Sequence, residues 1–282
     1  MSGSILEKLV AGRWIAGESI EDAIVLSKKF RKKRISTILN YLGEEFKSRK
    51  DVDETVDKYL ALIRSISKEG VPSAISLKPT KLGLLISTSL AESNYARILR
   101  SAYAKKIFVW LDMETSKDVD FTLRIYKKHF HSGNSGVCIQ AYLKRSRNDV
   151  AKITNWGGVI RLVKGAYNEP QTVAYKKKAE IDSNYLLLLR YLFSNSRKFM
   201  VATHDIKMID AALRLGRNYN GQVTYAMLNG IRNKLAVELA KRNNVAIYVP
   251  FGSRWVDYAY RRLREAGHLN IIVKSLLESQ KL

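Results

Sequence analysis

The stretch VIRLVKG, residues 159–165, decides how this chain is read. It is short, nearly unbroken in its apolar character, and rich in β-branched residues. That is the pattern of a parallel strand covered by helices on one face and packed inside on the other. Yet it holds Arg161 in its middle and Lys164 near its end. An unpaired buried charge costs several kcal/mol. A strand that keeps two cations must give them partners, or a site that uses them.

Similar runs recur on both sides. ISTILNYLG (35–43), AISLK (74–78), KIFVWLDME (106–114) and VCIQAYLKR (137–145) precede it. KFMVATHD (198–205), QVTYAML (222–228) and VAIYVPFG (245–252) follow. Helical patterns lie between them. DETVDKYLALIRSISKEG (53–70) sets Val56, Tyr59, Leu60, Ile63 and Ile66 on one stripe, and segments beginning at Ser116, Asp182, Asp205 and Ile231 behave similarly. Strand–helix alternation repeated eight times predicts a (β/α)8 TIM-type barrel, which takes about 250 residues. The chain has 282. Residues 1–34 predict a short extra N-terminal helix, with Ser19 and Asp22 as its capping pair. Only four prolines occur, with no Pro/Gly-rich linker, so one domain over 1–282 is expected. A doubly wound open sheet is the alternative arrangement of the same elements.

With 46% apolar residues the chain can build a sizeable core and is not disordered. Its net charge of +23 suits nucleic acid, an anionic membrane surface or an anionic ligand. The basic runs KKFRKKR (28–34) and YKKKAE (175–180) fall in helix-like segments and read as solvated faces. The single cysteine, Cys138, sits in an apolar run and reads as a small buried residue. One free cysteine suits a reducing cytoplasm. No run reaches 18 apolar residues and no secretory signal pattern opens the chain, so any membrane contact is expected to be peripheral.

The strand ends carry the chemistry. Lys78, Asp112, Glu114, Gln140, Tyr142, Arg161, Lys164, Thr203, His204, Asp205 and Tyr248 all fall in or just after the apolar runs. In a barrel the C-terminal ends of the strands open into the active site. Singly, Asp112 could cap a helix or pair with Arg161, and His204 could be structural. Together they point to a site. The four histidines and one cysteine show no zinc spacing, so no metal is expected. Phosphate-loop, dinucleotide and nucleophile-elbow motifs are missing, as is the aromatic–basic pattern of a ribonucleoprotein motif. No nucleic-acid partner is expected.

AISLKPTKLG, LDMETS, IQAYLKRS, IRLVKGAY, VATHD and YRRLRE together resemble the proline dehydrogenase family, in family order over roughly residues 35–266. The resemblance implies a flavin-dependent barrel. It implies oxidation of L-proline to Δ1-pyrroline-5-carboxylate, with hydride passing from C5 to N5 of FAD and electrons going on to a quinone. By motif, Arg261, Arg262 and Lys78 would hold the proline carboxylate. Tyr248 and Tyr258 would line the pyrrolidine ring, and Asp112 would fix Tyr248 through a hydrogen bond. Arg161 and Gln140 would meet the isoalloxazine, Val163, Lys164, Gly165 and Ala166 would run beside it, and Thr203, His204 and Glu265 would contact the rest of FAD. Two positions depart from the pattern: Ala226 stands where members often have Gln, and Asp205 replaces an Asn. The helical arm and aldehyde dehydrogenase domain of larger members are not expected, which implies a monofunctional type. Other readings are a related flavin barrel acting on another cyclic or N-alkylated amino acid, and a non-catalytic basic protein that binds nucleic acid or membrane.

Overall fold

The computed structural model describes residues 14–130 and 134–255. Eight parallel strands follow one another around a closed barrel: β1 (Ile35–Tyr41), β2 (Ser73–Leu77), β3 (Val109–Leu111), β4 (Ser135–Gln140), β5 (Val159–Val163), β6 (Lys198–Ala202), β7 (Gln222–Leu228) and β8 (Asn244–Phe251). Closure is made by β1 on β8, in register from Ile35 opposite Val245 to Tyr41 opposite Phe251. The helices are α1 (Ile20–Arg31), α2 (Arg49–Glu69), α3 (Thr88–Ala104), α4 (Val119–His129), α5 (Ser146–Asn155), α6 (Lys178–Asn195), α7 (Ile206–Leu215) and α8 (Asn233–Leu239). The open-sheet alternative is thereby excluded.

Several strand readings ran too long: β1, β5 and β6 end at Tyr41, Val163 and Ala202, short of the runs read for them, and two others depart further. KIFVWLDME enters the sheet only at Val109, because Lys106 takes φ +55° and the Ile107 amide bonds back to Ala102 of α3 at 2.9 Å. VCIQAYLKR leaves it after Gln140, where the Leu143 amide bonds the Gln140 carbonyl at 3.2 Å and turns the chain. The run YKKKAE is also not a helix face. Lys176 and Lys177 precede α6, and only Lys178 begins it.

The N-terminal helix α1 is present with its cap. The Asp22 amide donates to Ser19 Oγ and the Ser19 amide to Asp22 Oδ2, both at 3.0 Å. Aspartate thus fills the place usually held by glutamate.

Side-chain alternation along the strands divides the core. Outward residues such as Ile160, Leu162, Ile75 and Leu77 are fully buried against the helices. Inward residues Ile38, Trp110, Val159, Met200, Ala226 and Ala246 form a separate apolar plug inside the barrel. Two residues further along β1, β3 and β5, the same inward face carries Asn40, Asp112 and Arg161. The plug therefore floors a polar mouth at the C-terminal ends of the strands, where barrel active sites lie. No helix among the described residues is long and apolar enough to cross a membrane.

Candidate active site

A cavity of about 270 Å³ opens above the plug. Its walls include Lys78, Asp112, Gln140, Arg161, Val163, Lys164, Gly165, Ala166, Thr203, His204 and Tyr248. The barrel thus brings together eleven of the fifteen residues singled out from sequence. The other four, Tyr258, Arg261, Arg262 and Glu265, lie outside the described residues.

Asp112 is the hub. Its Oδ1 accepts from Ser76 Oγ at 2.7 Å and pairs with Arg161; its Oδ2 accepts from Tyr248 Oη at 2.9 Å. Asp112 and Arg161 are both buried, which is tolerated because each neutralises the other and the remaining lone pairs are hydrogen-bonded. The helix-cap reading of Asp112 is replaced by this pair. Arg161 also lies over the rings of Trp110 and Tyr248, at 5.2 and 5.5 Å from their centroids. Burial alone would lower its pKa, but Asp112, Cys138 and Tyr248 reverse that and raise it. Burial and the Asp112 charge push the Tyr248 phenol well above its usual range, so it stays a donor. Cys138 is buried, and burial raises its thiol pKa.

Lys78 directly follows β2 and forms an ion pair with Glu44 of the β1–α2 loop, with Tyr167 Oη at 3.4 Å. The turn after it, Pro79–Leu82, is anchored by Glu114, which accepts from the Thr80 amide at 2.8 Å and its hydroxyl at 2.7 Å. Burial lifts the Glu114 carboxyl to about 7, against the lowering effect of those two bonds. In the same turn Lys81 is wholly buried, donating to Tyr59 Oη at 3.3 Å and lying over the rings of Tyr41 and Tyr59.

Gln140 donates through Nε2 to the Glu114 carbonyl at 3.2 Å, while its buried Oε1 has no partner among the described residues. Gly165 has φ +114°, and a Cβ there would stand 2.1 Å from the Tyr142 ring. The absence of a side chain is thus required by Tyr142 as well as by the backbone. Lys164 bridges Asp182 of α6 and Asp205, the latter at 2.6 Å. Asp205 Oδ1 also accepts from the Lys207 amide at 3.0 Å and caps α7. Partial burial raises the Asp205 pKa, but Lys164 and the cap outweigh it and the net shift is downward. His204 is buried, and its Nε2 accepts from the Leu228 amide at 3.1 Å.

The sequence reading missed Asn40, Glu44, Ser76 and Tyr167. Asn40 and Ser76 carried a usable signal: each is a polar residue at an inward position flanked by apolar residues near the end of its strand. Glu44 and Tyr167 lie in loops, where nothing in the spacing marks them. Among the described residues no group of three or more His, Cys, Asp or Glu could hold a metal.

The sequence profile described as proline dehydrogenase matches residues 23–274. The chain belongs to the proline dehydrogenase family. The family is one of oxidoreductases, and the matched span contains the described strands from β1 to β8. The chain is 33% identical over 266 residues to proline dehydrogenase 2 of Bacillus subtilis (strain 168), covering 92% of this chain and 87% of that one. It is 34% identical over 269 residues to proline dehydrogenase of Deinococcus radiodurans, covering 91% and 86%. In fold it is similar to proline utilization A (PutA) from Bdellovibrio bacteriovorus, a structure inactivated by N-propargylglycine, with a TM-score of 0.85 at 24% identity. That likeness covers 97% of this chain and 34% of the other.

Proposed function

We propose that this chain oxidises L-proline to Δ1-pyrroline-5-carboxylate, the first step of proline catabolism, with FAD as its cofactor. The observation that carries the reading is the family match over residues 23–274.

The walls of the mouth fit a flavin. Gln140 offers a buried acceptor oxygen without a partner among the described residues, which suits an N–H on the edge of an isoalloxazine. Arg161, its charge balanced by Asp112, lines the mouth with its guanidinium, and the wall from Val163 to Ala166 includes backbone without a side chain at Gly165. Asp205 gives its carboxylate to Lys164 and to the cap of α7, which removes the repulsion that a free carboxylate would exert on FAD phosphates. When bound, the flavin supplies the acceptor for the hydride that leaves proline C5.

The chain's own residues bind and orient. Lys78, with Arg261 and Arg262, would hold the proline carboxylate; paired guanidiniums match its planar geometry. Tyr248 and Tyr258 would wall the ring. Asp112 ties Tyr248 and Arg161 together, so neither needs to reorganise as charge shifts during the reaction. With its oxygens committed to Ser76, Arg161 and Tyr248, Asp112 is no general base; the proline nitrogen loses its proton to solvent. Thr203, His204 and Glu265 would serve the remainder of FAD.

We read residues 1–282 as one domain whose electrons pass to a quinone, in the cytoplasm with peripheral contact at an anionic membrane. The test is anaerobic addition of L-proline to the purified yellow protein. Bleaching of the flavin band near roughly 450 nm is expected; a flavin-loaded protein that proline does not reduce refutes the reading. Ala226 lines the cavity where a longer side chain would narrow it, which favours as second reading a larger cyclic or N-alkylated amino acid. Reduction rates over a panel of proline analogues separate the two.

A further inference from the structure

The turns that lead from each helix into the next strand gather at the end of the barrel remote from the mouth. Between the turns before β1, β7 and β8 lies a groove of about 620 Å³, with Arg34, Arg217, Lys241 and Arg242 in its walls. No Asp or Glu is among the lining residues. Cations are common at helix C-termini, where they complement the helix dipole, so each one alone is unremarkable in cause. Two observations go further. Among the described residues, Arg34, Arg217 and Arg242 form no ion pair, and only Lys241 has a carboxylate, Glu238 at 2.6 Å. In addition, Arg34 takes φ +60°, a left-handed conformation in the turn after α1 where glycine is the least strained occupant. A cation is thus kept where the backbone disfavours any side chain. Lys106, at φ +55° in the turn before β3, repeats the pattern, and with Lys105 and Lys198 it lines a neighbouring cavity of about 520 Å³. Strain of this kind persists where a site uses it.

Three guanidiniums and an ammonium in one groove exceed what a single carboxylate can neutralise. They match an anion with several charged centres and many acceptor oxygens, which arginine binds bidentately. We propose that this groove binds an anion carrying two or three phosphate groups, at a site separate from the mouth. Its source is either a soluble phosphate compound or a phospholipid headgroup.

The test is calorimetric titration of the full chain with inorganic tripolyphosphate. One-to-one binding is expected, weakened about 30-fold by Arg217→Ala/Arg242→Ala and unchanged by Lys58→Ala/Lys117→Ala, which removes equal charge elsewhere. Arg34→Gly guards against misfolding as the explanation: it relieves the strained backbone, so its melting temperature should stay equal or rise while binding weakens. Sedimentation with cardiolipin vesicles, whose headgroup carries two phosphodiesters, then assigns the source. Vesicle binding that tripolyphosphate displaces identifies the headgroup, and tripolyphosphate binding without vesicle binding identifies a soluble phosphate; both support the site. No saturable binding, many-to-one stoichiometry, or equal loss in both double variants overturns the proposal.

Discussion

Replacing Asp112 by asparagine tests whether the Asp112–Arg161 pair is the charge balance of the mouth. The substitution keeps the shape and lets the amide oxygen accept from Tyr248 or Ser76. It strips Arg161 of its only ion-pair partner among the described residues, at a position where both side chains are below one-tenth exposed. Leaving one member of a buried pair uncompensated costs about 3–5 kcal/mol. At about 2–4 °C per kcal/mol for a chain of this size, Asp112→Asn should melt roughly 6–20 °C below the parent. Arg161→Met alone should suffer similarly, because Asp112 then becomes the stranded charge. The double variant Asp112→Asn/Arg161→Met holds no unpaired charge and should recover much of the loss. The expected coupling is about 2–3 kcal/mol. Thermal and urea unfolding of the parent and the three variants close the cycle. Additive losses, or an Asp112→Asn protein melting within about 2 °C of the parent, would refute the reasoning.

Three other outcomes are expected. Burial brings the Lys81 ammonium down from 10.5 to about 7. Between those pH values the unfolded chain binds a proton that the folded chain does not, so this group makes stability rise with pH across that window. Lys81→Met should therefore stabilise the protein most at or below pH 7 and remove that rise, as followed by urea unfolding in steps from pH 6 to 10. Gly165→Ala forces a side chain into a positive-φ position and onto the Tyr142 ring; a loss of about 2 kcal/mol or more is expected in the same assay, with proline oxidation abolished. Gln140→Leu should keep the fold within about 2 kcal/mol, since it gives up two long hydrogen bonds from Nε2, to the Met113 and Glu114 carbonyls, while flavin affinity falls about tenfold in a fluorescence titration.

Barrel topology was legible because all eight strands are short apolar runs separated by helix-length segments. Ends were less so. β3 and β4 were read too long because β-rich composition continues past the points where Lys106 and Leu143 turn the chain, and those turns depend on backbone conformation. Two helices, α3 and α5, did not stand out; α5 reads SRNDVAKITN, with too few apolar residues to show a stripe. In the mouth, strand-end charges were visible because charge is out of place in an apolar run. What spacing could not show is pairing. Lys78 meets Glu44 across 34 residues, and Glu114 anchors the Thr80 turn from the next strand; barrel closure creates both proximities. Lys81 looked like one cation among 49, and only the packing around Tyr59 buries it.

The seam between β1 and β8 has a consequence for how the chain is made. It is the longest-range pairing in the sheet, joining Ile35 to Val245 and continuing to Phe251. During synthesis, β1 emerges early and must wait for some two hundred further residues before its partner leaves the ribosome. Until then the growing sheet has two open edges, each a template for mispairing with another chain. Fold completion is accordingly a late, all-or-nothing event. A nascent chain stalled before residue 245 should need chaperone protection, whereas one whose segment through Phe251 has left the ribosome can complete the seam.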